Sequence, residues 1–251
     1  MIVKLKGHEV AYAYGYLANA FGLSTNEPIT RPLGPDAKLL TDAIAEVEQV
    51  CNTLELPTTL DYIPVLRRQL QNARTYSDVQ NYVGQLRERM HSELKTRLFV
   101  FVPPIEARFY DVKEPFGSEV AQKFPKAISD SEDAGNCIAL GLATPAVFCL
   151  MRVMERGVQR LGKKLGVKLA GEMNWQNILD QVDKAIKALP AKTTAQKRRK
   201  AKFAGASAHL YNVKLAWRNP VMHPKENYSA QHAAEIYGLV KIFMGHLAAF
   251  V

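Results

Sequence analysis

Thr144-Pro145-Ala146-Val147-Phe148-Cys149-Leu150-Met151-Arg152-Val153-Met154-Glu155-Arg156, running on to Leu165, is the stretch whose spacing decides the fold class. Thr144-Pro145 is a helix start signal. A hydroxyl that can cap the first turn precedes a proline placed where its missing N–H costs nothing. Beyond it Val147, Leu150, Met151, Met154, Val158, Leu161 and Leu165 keep helical spacing, and Gly166 suits the end.

The pattern stays helical on both sides. One helix is predicted over Ala127–Leu142. Asn174 can cap another through Leu189, with Ile178, Leu179, Val182 and Ile186 inward and Pro190 as its stop. Thr194 opens a long helix reaching Arg218. Ser229 caps a last one through Phe250, with Ala233, Ile236, Val240, Phe243, Met244 and Leu247 on its core face. Long helices with short connections imply an antiparallel bundle of four or five helices over residues 127–251.

Residues 1–126 read as a helical region with one exception. Asp36–Leu54 is amphipathic and is expected to stop at Pro57. Tyr62–Ala73 follows, and Ser77 is expected to cap a third helix carrying Val79, Tyr82, Val83, Leu86, Met90 and Leu94. Leu98–Val102 and Ile105–Val112 flank Pro103-Pro104 and suggest a small β-hairpin near residues 98–112. The connector Pro115–Pro125 marks the expected domain boundary. Residues 1–33 mix strand and helix signals, and Pro28–Pro35 reads as a loop. The fold class expected is therefore mainly α.

Composition narrows the setting. Of 251 residues, 47% are hydrophobic and 23% charged, ordinary for a soluble globular protein. No apolar run approaches the ~20 residues that span a bilayer, so no membrane partner is expected. The start MIVKLKGHEV has too short an apolar core for a secretory signal. Cys51, Cys137 and Cys149 show no CxxC spacing and fit reduced thiols of a cytoplasmic protein. Residues 1–126 carry 15 Lys and Arg against 15 Asp and Glu. Residues 127–251 carry 18 against 9, which is the whole net charge of +9. The C-terminal half is thus the part suited to meet a polyanion, although a solvated basic face would show the same count.

The residues best suited to phosphate chemistry lie in Trp217-Arg218-Asn219-Pro220-Val221-Met222-His223-Pro224. Arginine is always charged and forks onto phosphate, and histidine titrates near neutrality. Five residues on an ideal helix rotate by about 500°, which would part the two side chains by roughly 140°. Pro220 and Pro224 disfavour an ideal helix, and a bend can bring both to one side. In that arrangement His223 moves protons, Arg218 stabilises charge growing on phosphorus, and Asn219 orients either group. The plain structural alternative is an Arg218 paired with an acid and a His223 at a helix end.

The Arg218…His223 spacing resembles the arginine–histidine signature of HEPN domains (higher eukaryotes and prokaryotes nucleotide-binding). The helix order also resembles that domain, whose motif closes the third core helix. Cys149–Arg156 and Arg218–Pro224 followed by Tyr228 look like a family of uncharacterised bacterial proteins with a C-terminal HEPN-like bundle. The resemblance implies a metal-independent endoribonuclease acting at the cleft of a homodimer, in stress, toxin or phage-defence systems, without a cofactor. It also makes Glu155 a supporting residue, although structural pairing of Glu155 with Arg152 is the reading the spacing favours. RNA is the expected partner, and a neutralising or regulatory protein partner is left open.

The run Lys197, Arg198, Arg199, Lys200 and Lys202 begins the helix that ends in Arg218. Twenty residues span about 30 Å, so the run cannot share a site with the catalytic pair; it suits a flanking phosphate backbone, and a solvated basic face explains it equally. No metal site is expected, since His209, His232 and His246 lack ligand spacing, and no dinucleotide or P-loop motif occurs. Two other readings fit the same residues: a dimeric module that binds RNA or a nucleotide without cutting it, and a helical protein of purely structural interactions.

Overall fold

The chain was analysed as a computed structural model, which describes Gly15 and residues 36–168, 174–221 and 227–251. The mixed signals of residues 1–33 and the Pro28–Pro35 loop lie outside those residues except for Gly15. Among the described residues every regular element is a helix and no strand occurs. The chain divides into two compact units, residues 1–100 and 101–251.

In the first unit, helices α1 (Asp36–Thr53), α2 (Pro57–Asn72) and α3 (Tyr76–Leu94) enclose Val47, Cys51, Leu56, Ile63, Leu66, Leu86 and Met90. Pro57, expected to stop α1, opens α2 instead, because proline suits a first turn whose N–H groups have no partners. Glu93 of α3 serves that same first turn. Its carboxylate accepts from Thr58 N (3.0 Å), Thr59 N (2.9 Å) and Thr59 Oγ1 (2.6 Å). The cap of α3 is Thr75, two positions before the expected Ser77. Thr75 Oγ1 accepts from Asp78 N at 3.3 Å while Asp78 Oδ2 accepts from Thr75 N at 3.0 Å.

The expected hairpin near residues 98–112 is absent. Residues 97–103 have no regular structure, Pro104–Ala107 is a single helical turn (α4), and turns follow it. Leu98 and Phe101 are 99% and 81% exposed. β-prone residues without a partner strand cannot satisfy a ladder, and Pro103-Pro104 removes two consecutive donors.

The second unit begins before the expected boundary at residue 126 because residues 101–126 share its core. Phe109 and Phe116 meet Tyr237 edge-on at 5.3 and 5.1 Å. Helix α5 (Ser118–Lys123) and a 3-10 turn (Pro125–Ala127) add Val120, Phe124 and Ala127. The long elements are α6 (Ile128–Ala139), α7 (Ala143–Lys164), α8 (Trp175–Ala188), α9 (Thr194–Val213) and α10 (Ala230–Ala248). A short turn joins α6 to α7, and Arg152 Nε donates to the buried Asp130 at 2.7 Å across the pair. Ser207 Oγ donates to Asp183 at 2.7 Å and Lys214 Nζ to Gln176 at 3.0 Å, which runs α8 and α9 antiparallel. Phe203 meets Phe250 and His209 stacks on Phe243, which does the same for α9 and α10. Gly157 of α7 lets α10 approach, since a Cβ there would stand 3.2 Å from Leu247 and 3.3 Å from Met244. No helix of the described residues is long and apolar enough to cross a membrane.

Candidate functional site

Arg218 closes a π-helical turn, Lys214–Arg218, that continues α9. The cause is local. Pro220 has no N–H to give the carbonyl four residues back, and its ring crowds that carbonyl. The chain widens by one residue instead of stopping: Asn219 N donates to Lys214 O, five residues back, and Asn219–Val221 adds a last short helical turn. Arg218 and Asn219 are both partly exposed there. His223 lies outside the described residues, so the separation of Arg218 and His223 is not defined.

The wide turn is held from two sides. Its first residue, Lys214, donates to Gln176 in the first turn of α8. Near its end the Trp217 carbonyl accepts from Tyr228 Oη at 3.4 Å, and Trp217 packs against the core. Tyr228 N in turn donates to Thr144 Oγ1 at 3.1 Å. That bond revises the expected role of Thr144. Helix α7 starts at Ala143 without a side-chain cap, and the threonine hydroxyl serves the chain entering α10. Asn174 and Ser229 cap α8 and α10 as expected, accepting from Gln176 and Asn177 N and from His232 N.

Tyr228 also brings a second histidine near the turn. The His232 ring centroid lies 5.3 Å from that of Tyr228, and His232 is exposed. Spacing to Arg218 could not reveal this, because the two belong to different elements. The available signal was local: Tyr228 directly precedes the Ser229 cap, and a side chain just before a cap can fold back onto the first turn, where His232 stands.

Glu155 is not gathered to Arg218. It accepts from Gln159 Nε2 at 3.3 Å, and Gln159 accepts from Arg156 at 3.4 Å. Nor does Glu155 take Arg152, which belongs to Asp130. Thr144, which secures the Arg218 turn through Tyr228, is eleven residues or about 16 Å from Glu155 along α7. Among the described residues no hydrogen bond, ion pair or ring contact joins Glu155 to Lys214–Val221.

The basic run divides by role. Lys200 Nζ donates to the carbonyls of Lys187 (2.8 Å) and Leu189 (3.2 Å) at the end of α8. Arg199 lies 5.6 Å from the Phe203 ring. Lys197, Arg198 and Lys202 are exposed, and among the described residues none makes a hydrogen bond or ion pair. At about 100° per residue, Arg198 and Lys202 share one face while Lys197 turns toward another. Lys197 and Lys200 flank an open groove of about 540 Å³ between α8 and α9, floored by Ala201, Ala204 and Ala208.

Among the described residues no three His, Cys, Asp or Glu side chains are placed to hold a metal ion. Partial burial lowers the pKa of His209, which fits its stacking on Phe243. Comparison of the chain with protein-family models, curated proteins and solved structures gave no match.

Proposed function

We propose that the chain is a metal-independent endoribonuclease of HEPN type, with Arg218 and His223 as its reacting side chains. The observation that carries this reading is the widened turn, which holds the partly exposed Arg218 on a backbone fixed to α7, α8 and the start of α10. A cation held in place costs little reorganisation when charge develops on a bound phosphate. In the reaction the ribose 2′-oxygen attacks the adjacent phosphorus and the bond to the 5′-oxygen breaks. His223 takes the 2′-hydroxyl proton or delivers one to the leaving oxygen, and Arg218 neutralises the crowded phosphorane. Asn219, next to Arg218, donates to a phosphate oxygen. A second copy of the chain completes the cleft, and Lys197, Arg198 and Lys202 hold RNA beside it.

The deciding experiment incubates a synthetic RNA with the full chain, Arg218→Ala and His223→Ala, and reads 2′,3′-cyclic phosphate ends. Each substitution is expected to reduce cleavage by about a hundredfold or more while leaving the helical circular dichroism unchanged. Cleavage by either variant at the unsubstituted rate removes the assignment.

The second reading, RNA binding without cleavage, draws on the exposed lysines and arginine of α9, which serve any polyanion equally. It expects salt-sensitive RNA binding and no cyclic phosphate from any RNA.

A further inference from the structure

The run Leu98-Phe99-Val100-Phe101-Val102 lies in residues 97–103, which have no regular structure. Its first four side chains are 99%, 60%, 74% and 81% exposed. Among the described residues no hydrogen bond engages the main chain of Leu98–Val102. Its N–H and C=O groups are therefore left to water or to another strand. From Leu98 to Ile105 no residue is charged, and Ile105 is exposed as well. Aromatic and β-branched residues without charge are the composition of a segment that adds as a strand to another. At ring areas of about 150–250 Å² each, Phe99 and Phe101 together present on the order of 300 Å². With Leu98, Val100 and Ile105 the surface approaches the roughly 800 Å² that one side of a specific interface buries. A monomer rarely leaves that much contiguous apolar surface in water.

We propose that Leu98–Val102 pairs antiparallel with the same segment of a second copy of this chain, Val100 opposite Val100. Two observations select that occupant. Among the described residues the chain has no strand whose edge could take the run. The run is also matched to itself: a phenylalanine flanks Val100 on each side, and an aliphatic residue stands at each end. Such self-complementarity is what a two-fold interface requires.

The register follows from the side chains. With Val100 on the two-fold axis, Phe99 lies opposite Phe101 of the second copy and Leu98 opposite its Val102, each pair occurring twice. Side chains alternate between faces of a strand, so both aromatic pairs share one face and the aliphatic pairs share the other. A register shifted by one residue sets every phenylalanine against an aliphatic residue, and a shift by two keeps a single aromatic pair. Pro103 has no N–H, which ends the ladder at Val102. Two strands of five residues are marginal alone, so the pairing depends on protein concentration. The pairing stands apart from the cleavage reading: it is measured by association, without RNA.

The test follows amide hydrogen exchange of Leu98–Val102 in the full chain at low and high protein concentration. Protection is expected to rise about tenfold or more with concentration. Val100→Lys and Val100→Glu each set like charges opposite each other on the axis, so each alone should lose that protection and an equal mixture of the two should regain it. Because Val100 is largely exposed, neither should alter the helical circular dichroism. A second variant, Val100→Cys, is expected on oxidation to give a peptide that links position 100 of one copy to position 100 of the other. Amides unprotected at every concentration overturn the proposal, and so does protection independent of concentration, which would mean pairing within one chain. Protection that survives Val100→Lys, a mixture that regains nothing, or a link from position 100 only to another position would overturn it equally.

Discussion

The two units differ most in what their charged groups do. Residues 1–100 carry 11 Lys and Arg against 11 Asp and Glu, whereas residues 101–251 carry 22 against 13. In the first unit several polar groups serve the fold itself. Glu93 holds the start of α2, Asp78 and Thr75 hold the start of α3, and Arg89 lies 4.1 Å over the Tyr62 ring. In the second unit Arg152 and Lys200 have such duties, but Lys197, Arg198 and Lys202 face water. A unit whose charges sum to zero gives a polyanion little net attraction. A unit with surplus cations at its surface gives it a great deal.

The largest effects come from testing whether each unit keeps its own stability. Leu86→Ala and Leu150→Ala each remove a wholly buried side chain, one per unit, and each should cost about 3 kcal/mol. Site-resolved hydrogen exchange is expected to show loss confined to α1–α3 for Leu86→Ala and to α5–α10 for Leu150→Ala. RNA affinity should follow only the second. Equal loss of protection across both units for either substitution would erase the distinction.

Next in size is the carboxylate that joins α3 to α2. Glu93→Gln should cost about 1 kcal/mol at neutral pH, as the loss of a helix cap does. Burial pulls the Glu93 carboxyl upward, but the hydrogen bonds from Thr59 and Thr58 outweigh it and leave it below the usual carboxylate range. A lowered folded-state value means the stabilisation is complete above the unfolded value, about 4.3, and is lost as pH falls through the folded one. Urea melts of the two proteins should therefore converge below about pH 4. A difference that persists unchanged into acid would point to lost packing instead.

These contrasts bear on what could be read from the residues alone. The long helices of both units were legible because their apolar residues repeat every three to four positions, and the caps at Asn174 and Ser229 were legible because they act within a few residues. The error at Leu98–Val112 has the opposite origin. β-branched and aromatic residues state a preference for a strand, but a strand exists only through a partner elsewhere in the chain, and none of the described residues supplies one. Thr144 shows the same limit from the other side. Next to Pro145 it carries every local mark of a cap, yet its hydroxyl is taken by Tyr228 N, 84 residues away. In the site, Pro220 signalled a break in regular helix geometry, but whether it would stop or widen the helix depends on Lys214 and Trp217 finding holds on α8 and Tyr228. Asp130 capturing Arg152, and so leaving Glu155 to Gln159, was likewise beyond reach, since the partner comes from another helix.

Within the basic run, stability and binding should separate. Lys200→Ala removes the donor to two carbonyls at the end of α8 and should cost about 1 kcal/mol with little change in the salt dependence of RNA binding. Lys202→Ala should leave stability unchanged and lower the slope of log affinity against log salt by about one. Reversed outcomes would place the RNA path over the groove beside Lys200, not along the face shared by Arg198 and Lys202.

The smallest expected effect is the most informative about Arg218. Tyr228→Phe keeps the ring beside His232 and the backbone N–H on Thr144, and deletes only the hydroxyl that reaches the Trp217 carbonyl. At 3.4 Å that bond is long, so its loss should change stability by no more than about 0.5 kcal/mol. Its effect on cleavage should be larger than its effect on folding, because it is one of the holds that fix the turn carrying Arg218. A turn loosened by a fraction of an ångström lets the guanidinium follow the phosphate instead of waiting for it, so the rate should fall while RNA affinity stays near that of the unsubstituted chain. Thr144→Val, which removes the acceptor for Tyr228 N, should act in the same direction and add to it less than fully, since both bonds hold one tyrosine. If the two substitutions left the cleavage rate untouched while Arg218→Ala abolished it, the arginine would need no rigid support. The widened turn would then be only the way the chain accommodates Pro220.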